Sequence, residues 1–229
     1  MSNKTSVFTS LYHEGDTPSD HIRRGEFYEE DIFIKFKSLI PNQGTFLDIG
    51  ANIGNHSVMF NYYYPERPIF SIEGNPFNYS KLATNVMTIN NITPISCCVG
   101  EAMELVEFVH FAPSPGCSRL AKYYGDNEGE DTMCGTHISS LPKIYTITQP
   151  LDIFNFENIS FIKIDVENHE LSVFKGAYEL IKINKPIIWV EDFIYSKDRE
   201  NSGTQFLINE FGYKIAMQDI DDNYLLICE

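Results

Sequence analysis

A mostly parallel α/β sheet with helices on its faces is the fold class predicted for this chain of 229 residues, and three observations predict it. Short apolar runs alternate with segments of helical spacing, in the order β-α-β-α-β, through the first hundred residues. The first run, Thr45-Phe46-Leu47-Asp48-Ile49, leads directly into the turn Gly50-Ala51-Asn52-Ile53-Gly54, and the next run ends at Glu73. Late in the chain, two more apolar runs are joined by the short polar link Asp219 to Asn223, which predicts a hairpin.

The elements follow in order. Residues 1–25 are polar and predict a loose lead-in, with a turn at Asp16-Thr17-Pro18-Ser19; residues 26–229 predict one domain. Glu26 to Leu39 reads as a helix with Phe27, Ile32, Phe33 and Phe36 on its apolar side. Strand one spans Thr45 to Ile49, and the helix after the glycine turn begins at Asn55. Strand two is Ile69 to Ile72, a helix covers Asn78 to Thr88, and strand three is Ile95 to Val99. An insertion over about 101–150 follows, with strands at Leu105 to Phe111 and Lys143 to Thr148. Its centre, Ala112 to Gly135, is too long for a routine connection and predicts a function or disorder. Leu151 to Phe154 reads as a short helix. Regular alternation resumes with strand Phe161 to Ile164, helix Glu170 to Ile181, strand Pro186 to Val190 and helix Thr204 to Glu210. Phe211 to Ile215 and Tyr224 to Cys228 form the hairpin.

Composition narrows the field. A 43% apolar content supports a buried core, which at this size hides roughly 70% of the unfolded surface. Seventeen Lys and Arg face 32 Asp and Glu, a net charge of −15, so a polyanion is repelled and nucleic acid is disfavoured as a partner. The first ten residues lack the basic start and apolar run of a secretion signal, and no stretch approaches the roughly 20 apolar residues that span a bilayer. Five cysteines, an odd count, read as reduced thiols in a cytoplasmic protein. Cys117 and Cys134 flank a polar loop, but zinc-site spacing is absent, so neither metal nor disulfide is expected there. Oligomeric state is left open.

The glycine turn and the two acids define a candidate cofactor site. Gly50 can adopt a backbone conformation closed to other residues, and Gly54 lets the next helix pack closely or leaves room for a ligand. Asp48 ends strand one, where open α/β sheets place ligands, and Glu73 can accept two hydrogen bonds from a ribose diol. The three-glycine spacing of a nicotinamide dinucleotide site is missing. Asp48 would also repel a pyrophosphate, so the pair suits a phosphate-free nucleoside cofactor with an ammonium group, of which S-adenosylmethionine is the example. The plain structural alternative is a tight strand-helix turn with two surface acids.

Phe46-Leu47-Asp48-Ile49-Gly50-Ala51-Asn52-Ile53-Gly54-Asn55-His56-Ser57 resembles the first motif of the FkbM-type family of S-adenosylmethionine-dependent methyltransferases. Ile72-Glu73-Gly74-Asn75-Pro76 resembles its second-strand motif. Ile162-Lys163-Ile164-Asp165-Val166-Glu167-Asn168-His169-Glu170 with Phe174-Lys175-Gly176-Ala177 resembles its third. The resemblance covers roughly residues 26–195. It implies a class I methyltransferase (Rossmann-like) sheet of seven strands, the last antiparallel, and a cofactor set of Asp48, Gly50, Ala51, Asn52, Gly54, Asn55, Glu73 and Gly74. Tyr28 and Glu29 are weaker candidates for covering the cofactor. Asn168 stands where the family has glycine, a change that asparagine tolerates better than other residues.

The chemical end is expected at the third motif. Strand alternation puts Lys163 and Asp165 on one side near the carboxyl edge, followed by Glu167 and His169. Methyl transfer to a hydroxyl needs that oxygen held in line and relieved of its proton. His169 titrates near neutrality when unperturbed, and Asp165 or Glu167 can instead orient the hydroxyl or take the proton. Glu167 and His169 have a structural alternative in capping the helix at Glu170. Asp165, Glu191 and Asp192 also offer the hard oxygen ligands that magnesium prefers, as in related metal-dependent sugar O-methyltransferases. Ala112 to Gly135, with Tyr123, Tyr124 and His137, is the expected acceptor wall or lid.

The expected function is therefore methyl transfer from S-adenosyl-L-methionine, with Mg2+ as an optional second cofactor, to a hydroxyl of a small molecule or glycan. Two alternatives stand beside it. One is RNA or cap ribose 2′-O-methylation, suggested by Lys163, Asp165 and Glu191 and opposed by the missing basic groove. The other is a non-catalytic binding or scaffold protein on the same fold, for which Asn168 is the main support.

Overall fold

A computed structural model describes residues 17–110, 118–121, 132–133, 136–137, 141–219 and 222–228. In chain order the first elements are α1 (Thr17–Arg23), α2 (Glu30–Phe36), β1 (Thr45–Ile49), α3 (Asn55–Tyr63), β2 (Ile69–Glu73), α4 (Pro76–Val86) and β3 (Ile92–Ser96). The insertion contributes β4 (Cys98–Val99), β5 (Glu104–Val109), β6 (Arg119–Leu120), β7 (Thr132–Met133), β8 (Thr136–His137) and β9 (Lys143–Gln149). Then come β10 (Ile159–Ile164), α5 (Glu170–Gly176), α6 (Tyr178–Asn184), β11 (Ile187–Glu191), α7 (Phe193–Lys197), α8 (Gly203–Phe211), β12 (Lys214–Gln218) and β13 (Asn223–Ile227).

Seven strands form the main sheet in the order β12-β13-β11-β10-β1-β2-β3. Its β1, β2, β3, β10 and β11 pair in parallel, whereas β13 runs antiparallel to β11 and β12. This is the predicted class I methyltransferase sheet with its carboxyl-terminal hairpin. β1 and β10 are buried along their whole length, which is why their sequences are nearly continuous apolar runs rather than alternating ones. Alternation instead decides which core each residue joins. Phe46, Phe161 and Trp189 point into an aromatic cluster with Phe33, Phe36 and Phe60; Leu47, Ile162 and Val190 point into an aliphatic one with Val173 and Leu207.

The insertion follows β3 and builds a second sheet, β4-β9-β5-β6. The predicted single strand Ile95 to Val99 is two strands: β3 starts earlier and pairs with β2, the chain breaks step at Cys97, and β4 pairs with β9. The break lies where Cys98 packs against Gly74, whose Cβ, were one present, would fall 2.2 Å from the Cys98 sulfur.

Other expectations change as well, among them the first hairpin strand, which starts at Lys214 because Phe211 still belongs to α8. The lead-in is not loose throughout, since α1 buries Ser19 and Ile22. The helix expected from Glu26 starts at Glu30, because Glu29 takes a left-handed conformation (φ 60°) and turns the chain into the site. The helix expected over Glu170 to Ile181 divides at Ala177, where the Asp152 carboxylate accepts hydrogen bonds from the Glu179 and Leu180 N–H groups and starts α6 afresh. Tyr123, Tyr124, Cys117, Cys134 and most of Ala112 to Gly135 lie outside the described residues, and His137 is described by its backbone alone. Among the described residues no helix is long and apolar enough to cross a membrane.

Candidate cofactor and acceptor site

A cavity of about 430 Å³ opens at the carboxyl edge of the main sheet, within the size range of small-molecule sites. Tyr28, Gly50, Asn52, Glu73 and Gly74 line one part of it. Asp165, Glu167, His169 and Glu191 line another. The strand ends of β1, β2, β10 and β11 thus bring the two predicted halves of the site to one space.

Glu73 is fixed by the backbone around it. The Asn52 N–H donates to its Oε2 at 2.8 Å and the Asn75 N–H to its Oε1 at 2.7 Å. Burial pushes its carboxyl up to about 7, against those two hydrogen bonds, with Asp165 and Asp48 adding to the rise. Asn52 adopts φ 48°, and its side-chain Oδ1 is buried without a hydrogen-bond partner among the described residues.

The turn is shaped by close approach. Gly50 has φ +82°, and a Cβ there would fall 1.7 Å from the Asp165 carbonyl oxygen. Gly54 (φ +98°) begins α3 against Leu82, a packing role rather than a lining one.

Five of the ten expected cofactor residues do not line the cavity. Ala51 belongs to the aromatic core. Asn55 clamps the chain above the site: its Oδ1 accepts from the Tyr28 N–H at 3.0 Å and its Nδ2 donates to the Tyr28 carbonyl at 3.1 Å. Asp48 lies beneath the floor, fully buried, accepting a short hydrogen bond from Ser57. Burial raises its carboxyl, while His56, Ser57 and Lys163 oppose the rise. Glu29 also reaches under the floor. Its Oε2 pairs with His56 Nε2 at 2.9 Å and its Oε1 accepts from Asn223 Nδ2 at 3.3 Å. Burial would raise Glu29, but His56, Lys163 and Asn223 together hold it at about 2.

At the acceptor end, Lys163 and Asp192 depart from expectation. Lys163 is completely buried and does not line the cavity; its Nζ lies 3.4 Å from Asp165 Oδ2 and 5.0 Å from the centre of the Trp189 ring. Asp192 is buried as the cap of α7, accepting from the Tyr195 N–H at 3.1 Å and, from α8, the Thr204 N–H at 2.8 Å. With Asp192 so engaged, Asp165 and Glu191 are the remaining members of the expected magnesium set. Among the described residues no three His, Cys, Asp or Glu side chains are grouped to hold a metal ion, so the donor set does not fit Mg2+. Burial and the neighbouring Asp165 push the Glu191 carboxyl well up from its ordinary range.

His169 caps α5 by position, but its side chain makes no capping hydrogen bond. The Glu170 Oε1 instead accepts from the Asn168 N–H at 3.1 Å. Glu167 (φ 56°) and Asn168 (φ 73°) form two successive left-handed residues.

The sequence reading missed an apolar wall made by Cys97, Phe108 and Leu120, the last two from the insertion. It also missed the polar floor of His56, Ser57 and Asn223. His56 and Ser57 stand inside the first motif, whereas nothing local marks Asn223.

The sheet order and this cavity are those of the class I methyltransferase fold. The family model of the methyltransferase FkbM domain matches residues 48–215, and the chain belongs to that family. A crystal structure of methyltransferase FkbM from Methylobacillus flagellatus KT is similar in fold, with a TM-score of 0.55 and 20% identity, covering 81% of this chain and 44% of that one. Methyltransferase sdnD of Sordaria araneosa is 25% identical over 162 residues, 61% of this chain and 62% of its own length. Methyltransferase 1 of Beauveria bassiana is 22% identical over 169 residues, 66% of each chain. This chain therefore spans just under two-thirds of the length of these two relatives.

Proposed function

We propose that this chain binds S-adenosylmethionine and transfers its methyl group to a hydroxyl of a small molecule or glycan. The observation that carries the reading is Glu73, a carboxyl held by two backbone N–H groups and facing the cavity. It supplies acceptors for a ribose diol. Cys97, Phe108 and Leu120 offer an apolar surface for the base. Membership of the FkbM family and relatives named as methyltransferases support the reading.

When bound, the cofactor would supply an electrophilic methyl group on a sulfonium. Asp165 and Glu167 would orient the acceptor hydroxyl and take its proton, with Glu191 beside them on the cavity wall. An acidic acceptor end and a net charge of −15 favour neutral or cationic acceptors over phosphorylated ones. Ribose 2′-O-methylation of RNA is the weaker reading, because Lys163 is buried away from the cavity.

Calorimetric titration of metal-free protein with S-adenosylmethionine, with NAD as control, tests the cofactor. Saturable binding to S-adenosylmethionine alone is expected, with Glu73→Ala about 10- to 100-fold weaker, the size of a lost hydrogen bond to a charged group. A folded wild-type protein that does not bind overturns the reading and leaves a scaffold. Mass-spectrometric screening of hydroxyl acceptors then tests the reaction.

A further inference from the structure

The Asn75 carboxamide is completely buried, and both of its ends are engaged. Its Oδ1 caps α4 by accepting from the Phe77 N–H at 3.1 Å, and its Nδ2 lies 3.0 Å from Nδ1 of His110. This arrangement fixes the histidine. With Oδ1 taken by the cap, the amide end that faces the ring can only donate, so His110 Nδ1 accepts and the ring proton sits on Nε2. The imidazole also stacks on the exposed Phe77 ring, with centres 4.6 Å apart and planes at 30°. Residues from two distant parts of the chain thus close a small triangle: Asn75 and Phe77 at the start of α4, and His110 just past the end of β5. The His110 N–H anchors it further, donating to the Pro142 carbonyl at 3.0 Å ahead of β9.

Both sides of the triangle lead to the cofactor end of the cavity. The Asn75 N–H donates to Glu73, and Phe108, two residues before His110, lines the same cavity from the insertion. We propose that His110 is a positioning residue for the cofactor: by accepting from Asn75 it clamps the insertion strand that carries Phe108 to the loop that holds Glu73. Its purpose rests on the cofactor reading of Glu73. The clamp needs a neutral ring, because a proton on Nδ1 would set one N–H against another. Burial and the Lys81 charge on α4 both favour that neutral form. On the adjoining strands Glu107 of β5 and Lys143 of β9 pair with each other at 2.8 Å, and Glu73 of β2 lies behind Asn75.

Nitrogen NMR of histidine-labelled protein, with no ligand added, reads the tautomer directly. The Nε2–H form with Nδ1 as acceptor is expected at neutral pH, and an Nδ1–H form would overturn the proposal. Calorimetric titration with S-adenosylmethionine then compares two variants. His110→Phe keeps a ring for Phe77 but offers no acceptor, and should bind about tenfold more weakly, the size of one hydrogen bond. His110→Asn sets an Oδ1 where Nδ1 stood. It should restore the affinity and lose less of it than wild type at about pH 5, because the imidazole no longer titrates. Wild-type affinity in His110→Phe, or equal losses on acidification in wild type and His110→Asn, would overturn the clamp. If His110→Phe fails to fold, the tautomer and the His110→Asn comparison decide. Wild-type protein that binds no S-adenosylmethionine would sink the cofactor reading separately. The clamp is then judged by the tautomer and by exchange of the Phe77 amide, which should quicken in His110→Phe as the Asn75 cap loosens.

Discussion

At the residue scale, the third motif departs from its family at Asn168, and the backbone shows what the departure entails. Left-handed conformations cost an ordinary residue about 1–2 kcal/mol, and asparagine less. Asn168, at φ 73°, therefore keeps a geometry meant for glycine. Asn168→Gly should leave stability within about 0.5 kcal/mol, whereas Asn168→Ala should lower it by about 1 kcal/mol, read by urea denaturation. A large loss with glycine would mean that the Asn168 side chain, not its backbone, holds the loop. Motif matching pointed to Glu73 and Asp165, and both line the cavity because they stand at strand ends where the sheet opens. It misjudged Lys163 and Asp192 for physical reasons. Lys163 lies one residue inside the end of β10 and turns into the sheet's packed face, while Asp192 is claimed by an N–H twelve residues downstream.

At the element scale, the turn before α2 has no sequence signature of its own. Glu29 enters the left-handed region without a glycine, because Asn55 grips Tyr28 from both sides and His56 holds the Glu29 carboxylate. Asn55→Ala should cost about 1–3 kcal/mol, the penalty for stranding buried backbone groups. Amide hydrogen exchange should quicken around residues 27–30 while β1 and β10 keep their protection. Uniform loss of protection would show that the turn is not a separable unit. Strands β1 and β2 were readable because their boundaries are local: proline, glycine and a change of periodicity. The step at Cys97 was not, since it depends on β9, some fifty residues later, offering Cys98 a partner.

At the scale of the whole molecule, the parallel sheet followed from the strand-helix alternation and the hairpin from its short polar link, but the charge balance of the interior could not be read from a composition. Burial pushes Glu170 up to about 8 and Glu73 up to about 7, from a usual value of 4.5. Both are protonated more readily in the folded chain than in the unfolded one. Their contribution to stability is full below pH 4.5 and is lost as pH rises through 7 and 8. Glu29 acts oppositely, its contribution present above 4.5 and lost as pH falls towards 2. Thermal stability should therefore peak near pH 5 and fall towards pH 8.5. Glu170→Gln, which keeps an oxygen for the Asn168 N–H, should reduce that fall by several degrees in calorimetric scans at both pH values. An unchanged slope would place the titration elsewhere.

The contact between Gly50 and the Asp165 carbonyl reaches beyond stability. With under 2 Å available for even a methyl group, the turn after the first strand and the end of the fourth parallel strand are one mechanical part. Efforts to retarget this scaffold to another acceptor must treat that junction as a fixed hub. Diversity belongs instead in the insertion, where Phe108 and Leu120 reach the cavity from a separate sheet and can be exchanged without disturbing the hub.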